Sequence, residues 1–171
     1  MSSPVHAPNT TLLEVITAKR VHLARLANES GAAGEQAALL SMERWTSRPK
    51  GPALRQLLAA LAETGVTIKA SSFDALAASA PLDFTNLERL RRQIADVTFI
   101  EIKTANQPRV QPGFAGFFFA LTESEISAAD QLGPRHRVAL FNNLSGELLI
   151  TSVPDIIARS RSMNWQLSVQ L

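Results

Sequence analysis

The chain contains no cysteine. Disulfide bonds, thiolate metal sites and a cysteine nucleophile are therefore excluded, and a reducing compartment is favoured. No charged-then-apolar segment at the N-terminus resembles a signal peptide. The longest uncharged apolar stretch, residues 113–122, is far too short to cross a bilayer. These absences predict a cytoplasmic protein that does not cross a membrane.

Several motifs that mark enzyme classes are also missing. The chain has no G-x-S-x-G, no Walker phosphate loop and no Rossmann glycine fingerprint. Serine-hydrolase chemistry and nucleotide hydrolysis through a P-loop are therefore disfavoured. The histidines, His6, His22 and His136, are widely scattered and show no metal-ligand spacing.

Neither sign of charge dominates the chain. The formal net charge of +2 is too small to indicate a nucleic-acid partner by itself. Residues 61–130 hold nine acidic and six basic groups, whereas residues 1–60 hold four acidic and seven basic groups and residues 131–171 hold two and four. An acidic centre between basic ends suits a metal site flanked by phosphate contacts. Small counts can also produce this pattern by chance.

The chain has enough apolar material to form one domain with its own core, since 46% of its 171 residues are hydrophobic. Helical periodicity dominates up to Gly65, and the pattern predicts three helices there, the last two over residues 34–45 and 53–63. We therefore divide the chain into a helical N-terminal segment, residues 1–65, that packs on an α/β core, residues 66–171, in one domain overall.

Beyond Gly65, short apolar strands alternate with helices. Strands are predicted over residues 66–71, 97–103, 116–122, 136–142, 147–151 and 165–171. T-x-x-E capping boxes predict helices that open at Thr85 and Thr122, and Ser152 opens a short third helix. This order predicts an α/β fold with a mixed central sheet flanked by helices.

The strand predicted over residues 97–103 carries a glutamate and a lysine in an otherwise apolar run. Because side chains alternate along a strand, Glu101 and Lys103 point to the same face. They either form a local ion pair or face a ligand at the end of the strand, where ligands gather in α/β folds. Asp83, in the preceding PLDF stretch, supplies another carboxylate.

The stretch IEIKTAN, with PLDF before it and a capped helix and a hairpin after it, resembles the PD-(D/E)xK superfamily of restriction-endonuclease-like nucleases. The resemblance covers roughly residues 66–151, and the core is also similar to bacterial nuclease-like domains of unassigned function that carry an IEVKT-type stretch. It implies that Asp83 and Glu101 hold Mg²⁺ or Mn²⁺ and that Lys103 assists the attacking water. That chemistry would hydrolyse DNA phosphodiester bonds.

The resemblance also implies accessory groups and an assembly. Glu35 or Glu43 would be the additional glutamate that the family often has on a helix before the core. Gln107 is placed as the polar residue that frequently follows the lysine. Nuclease-like domains often dimerise to cut two strands, so a homodimer is a further expectation from the resemblance.

Two features of the chain depart from the family pattern. The first acidic residue follows Pro-Leu rather than Pro alone, and Asp83 and Glu101 are eighteen positions apart with a predicted helix between them, where the family more often has a hairpin. Asp96 is the competing carboxylate, although it lies only five positions before Glu101.

Four arginines are candidates for contacts with a nucleic-acid backbone. Arg89 and Arg92 share one face of the helix that follows Thr85, whereas Arg135 and Arg137 begin the strand predicted over residues 136–142. An ordinary solvated surface explains the same residues, so their placement in three dimensions decides between the two interpretations.

Two other hypotheses compete with the nuclease. The fold is a catalytically inactive nuclease-like domain that acts as a nucleic-acid-binding or protein-interaction module, or Glu101 and Lys103 form a local ion pair in a structural protein. Geometry separates them. Carboxylates of Asp83 and Glu101 within about 5 Å of each other would support a shared cation, and a wide separation would favour the binding module.

Overall fold

The computed structural model describes residues 45–163. The strands in this range are β1 (Trp45–Ser47), β2 (Ala75–Ala77), β3 (Thr98–Ala105), β4 (His136–Asn142) and β5 (Leu148–Thr151). The α-helices are α1 (Gly51–Ala62), α2 (Leu87–Gln93), α3 (Glu123–Leu132) and α4 (Val153–Arg159). The predicted helices that precede residue 45 and the predicted strand 165–171 lie outside the described residues.

The five strands form one mixed sheet in the order β1-β2-β3-β4-β5. Neighbours β1, β2 and β3 are antiparallel, β3 and β4 are parallel, and β5 returns antiparallel to β4 as a hairpin. Helix α3 lies in the β3–β4 connection, because parallel neighbours need a long crossover. The predicted α/β class and the mixed sheet with helices are confirmed.

The main core lies between one face of the sheet and helices α1, α2 and α3. Its centre is an edge-to-face pair of buried rings, Phe73 and Phe99, with centroids 5.1 Å apart. The buried aliphatic residues around this pair are Leu57, Leu61, Leu76, Leu90, Ile94 and Leu132. Burying each such side chain contributes about 1.5–3 kcal/mol, so the three helices are fixed over this face.

Residues 45–65 belong to the same unit as the rest of the sheet. β1 pairs with β2, with Trp45 opposite Ala77, and Leu57 and Leu61 of α1 are fully buried in the main core. The helix predicted over residues 53–63 is therefore present as α1 and packs on the core.

The strand predicted over residues 66–71 is wrong. Val66 and Ile68 pack against the main core as half-buried side chains, but residues 66–69 have no strand partner and residues 70–72 form a 3-10 turn. The strand forms instead as β2, where the chain lies beside β3. An apolar pattern reports burial, and burial does not require a sheet partner.

The strand predicted over residues 116–122 is also wrong. Phe117 and Phe119 pack on the apolar residues of β4 and α4 as an irregular segment, with their rings 4.9 Å apart. Phe118 points away and is 66% exposed. The run is apolar because it covers an edge of the core, not because it lies within the sheet.

The helix starts agree with the sequence in one case and shift in another. Thr122 and Glu125 form the predicted capping box of α3. At α2 the N-cap is Asn86, whose side chain accepts from the Arg89 N–H, so the helix begins one residue later than predicted from Thr85. Within residues 45–163, no helix has the length and apolar character that a bilayer span requires.

Candidate functional site

The antiparallel register of β2 and β3 determines which side chains face each other. Ala75 lies opposite Ile100, and the N–H of Asp74 donates to the carbonyl of Ile100 at 2.7 Å. Asp74 lies immediately before β2, and its negative charge is one of those that act on Glu101. Asp74 is thus the carboxylate that the fold brings to Glu101.

The carboxylate of Asp74 is held on both sides. Its Oδ2 accepts from the N–H of Ile102 at 2.9 Å, and its Oδ1 lies 4.0 Å from the guanidinium of Arg48. That guanidinium donates to the carbonyls of Ala70 and Phe73 at 2.9 and 2.8 Å. Arg48 therefore fixes the loop before β2 and, through it, the position of Asp74.

Glu101 is a buried carboxylate with one oxygen free. The residue is 5% exposed, its Oε1 lies 2.9 Å from the Lys103 ammonium, and its Oε2 is buried without a hydrogen-bond partner. Burial, with the negative charges of Asp74 and Glu125, raises the pKa of Glu101 to about 9, although Lys103 opposes the shift. Without a further cation, Glu101 therefore takes up a proton readily.

Lys103 lies between two carboxylates. Its Nζ is 3.0 Å from each oxygen of Glu125 and 2.9 Å from Oε1 of Glu101. Burial by itself would lower the pKa of Lys103, but the charges and hydrogen bonds of Glu101 and Glu125 raise it above its ordinary value. Lys103 is therefore a fixed cation at neutral pH.

Helix α3 places Glu125 in contact with Lys103. Glu125 is in the first turn, where its Oε2 accepts from the Thr122 N–H at 2.9 Å as half of the capping box. The residue is 4% exposed. One side chain thus stabilises the start of α3 and contacts Lys103 on β3.

His136 lies behind the site in β4, in register with Phe99. It is 1% exposed. Its Nε2 is 3.4 Å from the carbonyl oxygen of Ser72, and its Nδ1 is buried without a hydrogen-bond partner. Burial lowers the pKa of His136, so the ring is neutral and ties β4 to the loop that carries Asp74.

The structure places Asp83 elsewhere. Its Oδ1 accepts from the N–H and hydroxyl of Thr85 at 3.0 and 2.7 Å and from the N–H of Asn86 at 3.2 Å, and its Oδ2 lies 3.8 Å from Arg89. The hydrogen bonds from Thr85 are the main cause of a lowered pKa for Asp83. Asp83 therefore shapes the entry to α2, and the negative charges that act on Glu101 are those of Asp74 and Glu125.

Arg89 and Arg92 lie on α2 at the other end of β2. Both line an open hollow of about 520 Å³ with Asp96, the carboxylate that competes with Asp83 in the sequence. This end of β2 pairs with Thr98, at the start of β3. The two arginines thus lie near each other but away from Glu101.

The remaining predicted residues do not gather at Glu101 either. Arg135 donates to the carbonyl of Ile94 at 2.9 Å. Arg137 pairs with Ile100 and therefore faces the opposite side of the sheet from Glu101. Gln107 is exposed in the turn after β3, and the accessory candidates Glu35 and Glu43 lie outside the described residues.

Asp74 and Glu125 were missed as site residues. Asp74 precedes the short apolar stretch ALA, and it would have been found if the strand had been placed at residues 75–77 instead of 66–71. Glu125 was recognised as a capping residue, which gave no reason to expect a second contact.

Comparison of the chain with protein-family models, with curated proteins and with solved structures gave no match. The resemblance carried by IEIKTAN therefore stays a prediction. Across residues 45–163, no three Asp, Glu or His side chains group together as ligands for one metal ion. The site offers two carboxylates, Asp74 and Glu101, with a lysine at their side.

Proposed function

We propose that the protein is a metal-dependent nuclease that hydrolyses DNA phosphodiester bonds, with a restriction-endonuclease-like core in which Asp74 is the partner of Glu101. The observation that carries this proposal is the buried Oε2 of Glu101, which has no hydrogen-bond partner, together with the carboxylate of Asp74, which accepts from the N–H of the next residue, Ile102. A buried carboxylate oxygen without a donor is costly and calls for an explanation. A shared cation supplies one.

The strand arrangement supports the same proposal. The resemblance implied two acidic residues on neighbouring strands joined by a hairpin. Asp74 immediately precedes β2, and Glu101 lies in β3, the antiparallel neighbour of β2. Helix α2 still lies in the connection between these strands and Asp74 follows Phe73 rather than a proline, so both departures from the family pattern remain.

The residues present fit a hard divalent cation. Asp74 and Glu101 would supply carboxylate oxygens to Mg²⁺ or Mn²⁺, which keep several of their own waters. Such a cation polarises a phosphoryl oxygen and lowers the pKa of a bound water. Lys103, with its ammonium 2.9 Å from Glu101, would stabilise the negative charge that develops on the phosphate.

The charges of the site are consistent with a cation and a phosphodiester. When all are ionised, the carboxylates of Asp74, Glu101 and Glu125 face two positive groups, Lys103 and Arg48. One negative charge is in excess, and a divalent cation with a singly charged phosphodiester would leave the site neutral. Because the pKa of Glu101 is raised to about 9, cation binding would displace a proton and become tighter as pH rises.

Thermal unfolding with Mg²⁺ or Mn²⁺ tests the proposal without knowledge of the substrate. A cation at ten times its Kd stabilises the native state by about 1.4 kcal/mol, which is roughly 3–5 °C in Tm for a chain of this size. We expect this shift in the wild type, its loss in Asp74→Asn and Glu101→Gln, and its retention in the matched control Asp83→Asn.

Cleavage of duplex and single-stranded DNA is then assayed for the same four proteins. We expect Mg²⁺-dependent cleavage by the wild type and by Asp83→Asn. A wild type that neither shifts in Tm with the metal and a short DNA duplex together nor cleaves DNA would overturn the proposal.

One observation favours a second function, that of a catalytically inactive module that binds nucleic acid or protein. Lys103 already gives Glu101 and Glu125 a cationic partner, so the cluster can persist as an internal ion network. A module of this kind would bind DNA equally well with and without metal, and Glu101→Gln would leave that binding unchanged. A filter-binding titration in EDTA and in Mg²⁺ separates the two functions.

A further inference from the structure

We propose that Glu125 is a positioning residue that fixes the ammonium of Lys103 in the site. The inference deepens the proposed nuclease function and rests on it for its catalytic consequence. Glu125 is not assigned a contact with the metal or the substrate. Its role is to hold another residue, Lys103, where the phosphate would lie.

The contact geometry is the first argument. Both oxygens of Glu125 lie 3.0 Å from Nζ of Lys103, whereas Glu101 offers one oxygen at 2.9 Å. The lysine ammonium thus contacts two oxygen atoms from α3 on one side and one oxygen atom from its own strand on the other. A cation that bound the oxygens of Glu101 would weaken the second contact, and the first would remain.

The helix cap alone does not explain a carboxylate at this position. A capping box accepts glutamine as well as glutamate at its third helical residue, and the cap uses only the bond from Thr122 to Oε2. Burying a charge costs far more than burying an amide, and Glu125 is 4% exposed. The charge of Glu125 is therefore explained by a second interaction, its ion pair with Lys103.

The other charged and titratable groups around Lys103 cannot take this role. Glu101 and Asp74 are the candidate cation ligands of the proposed function, and His136 is buried with a lowered pKa and is neutral. Glu125 contacts the lysine from a different element, α3, and leaves the cation-binding oxygens free. Glu125 is the group that keeps Lys103 in place both with and without a bound cation.

The test uses Glu125→Gln, which keeps an acceptor for the helix cap and removes the charge. Glu123→Gln is the matched control, because Glu123 is in the same turn, is exposed, and loses the same charge. Glu125→Asp keeps the charge but shortens the side chain by one methylene group, so it separates position from charge. Tm is measured first to establish that each variant folds.

The direct readout is the ¹H–¹⁵N NMR signal of the Lys103 ammonium, assigned by its loss in Lys103→Arg. A buried, hydrogen-bonded ammonium exchanges slowly enough to give this signal. We expect it in the wild type and in Glu123→Gln, and its loss in Glu125→Gln and Glu125→Asp. An unchanged signal in both Glu125 variants would overturn the inference, whatever the activity.

The catalytic readout is the separation of kcat from KM on cleaved DNA. A positioning role predicts that kcat of Glu125→Gln falls about 10–100-fold while KM stays within about twofold. A change in KM alone would contradict positioning. If the wild type shows the ammonium signal but cleaves nothing, the nuclease proposal fails on its own evidence, and the NMR comparison still decides the role of Glu125.

Discussion

Two groups of carboxylates with basic partners lie in this molecule, and they behave in opposite ways. The inner cluster consists of Asp74, Glu101, Lys103 and Glu125. The outer cluster, around α2, consists of Glu63, Asp83, Glu88, Arg89 and Arg91. The pKa values of Glu63 and Asp83 are lowered, chiefly by side-chain hydrogen bonds from Arg91 and Thr85 respectively, whereas burial raises the pKa of Glu101.

The difference shows how a structural carboxylate can be told from a candidate ligand. Asp83 in the outer cluster takes its bonds from residues within six positions of the chain, so its role is settled locally. The inner carboxylates come from the start of β2, from β3 and from α3, and Oε2 of Glu101 has no partner. The convergence of these carboxylates and the unsatisfied oxygen support the proposed cation site, whereas the local hydrogen bonds of Asp83 explain it as part of the entry to a helix.

Replacement of Lys103, the basic residue of the inner cluster, should produce the largest difference in stability between the two clusters. Lys103→Ala leaves the buried Glu125 without its positive partner, and breaking a buried ion pair in this way costs roughly 3–5 kcal/mol. The exposed Arg91, which donates hydrogen bonds to Glu63 and Glu88, is the control. Arg91→Ala should shift the midpoint of urea unfolding very little, because exposed ion pairs contribute little to stability. Urea unfolding of both variants at pH 7 measures the difference, and equal losses would refute it.

The pH dependence of stability should differ in sign between the clusters. The folded pKa of Glu101, about 9, is raised above its ordinary value of 4.5, so its contribution is full below about pH 4.5 and is lost as pH rises toward 9. The pKa of Asp83 is lowered from 3.8, so its contribution is present above that value and is lost as pH falls through the folded pKa.

Urea unfolding in a metal chelator across this pH range tests both signs. We expect the stability of the wild type to decline from about pH 5 to pH 9 and the decline to flatten in Glu101→Gln. Asp83→Asn should instead flatten the acid limb below about pH 4 and leave the alkaline limb as in the wild type. If Glu101→Gln kept the alkaline decline, the raised pKa of Glu101 would not be its cause.

The smallest expected effect is on two helices that each have a side-chain N-cap. Thr122→Ala and Asn86→Ala each remove a side-chain cap, at α3 and α2 respectively, and each should cost about 1 kcal/mol. The hydroxyl of Thr122 also accepts from the N–H of Glu125 at 3.3 Å, so its loss alone should weaken the NMR signal of the Lys103 ammonium that Glu125 holds. A weaker signal in Asn86→Ala as well would show that general destabilisation, not the link to Glu125, is responsible.

Local patterns predicted the elements that local forces stabilise. The α1 helix, the β3 strand, the β4–β5 hairpin and the capping box at Thr122 were all present in the periodicity and the turn residues. The two failures, residues 66–71 and 116–122, are apolar segments that bury side chains without joining the sheet. Apolar segments that form strands and apolar segments that only cover the core have the same hydrophobicity. Only the presence of a neighbouring strand distinguishes them.

The sequence by itself determined that Glu101 and Lys103 share one face of a strand, because alternation is a property of the strand alone. It also determined that Thr122 and Glu125 open a helix. Which carboxylate lies near Glu101 was decided by the tertiary structure, which pairs β2 with β3 and places the carboxylate of Asp74 on the N–H of Ile102. Asp74 and Glu101 are 27 positions apart, and no local pattern distinguishes Asp74 from Asp83. The choice follows from strand pairing, which the whole core fixes at once.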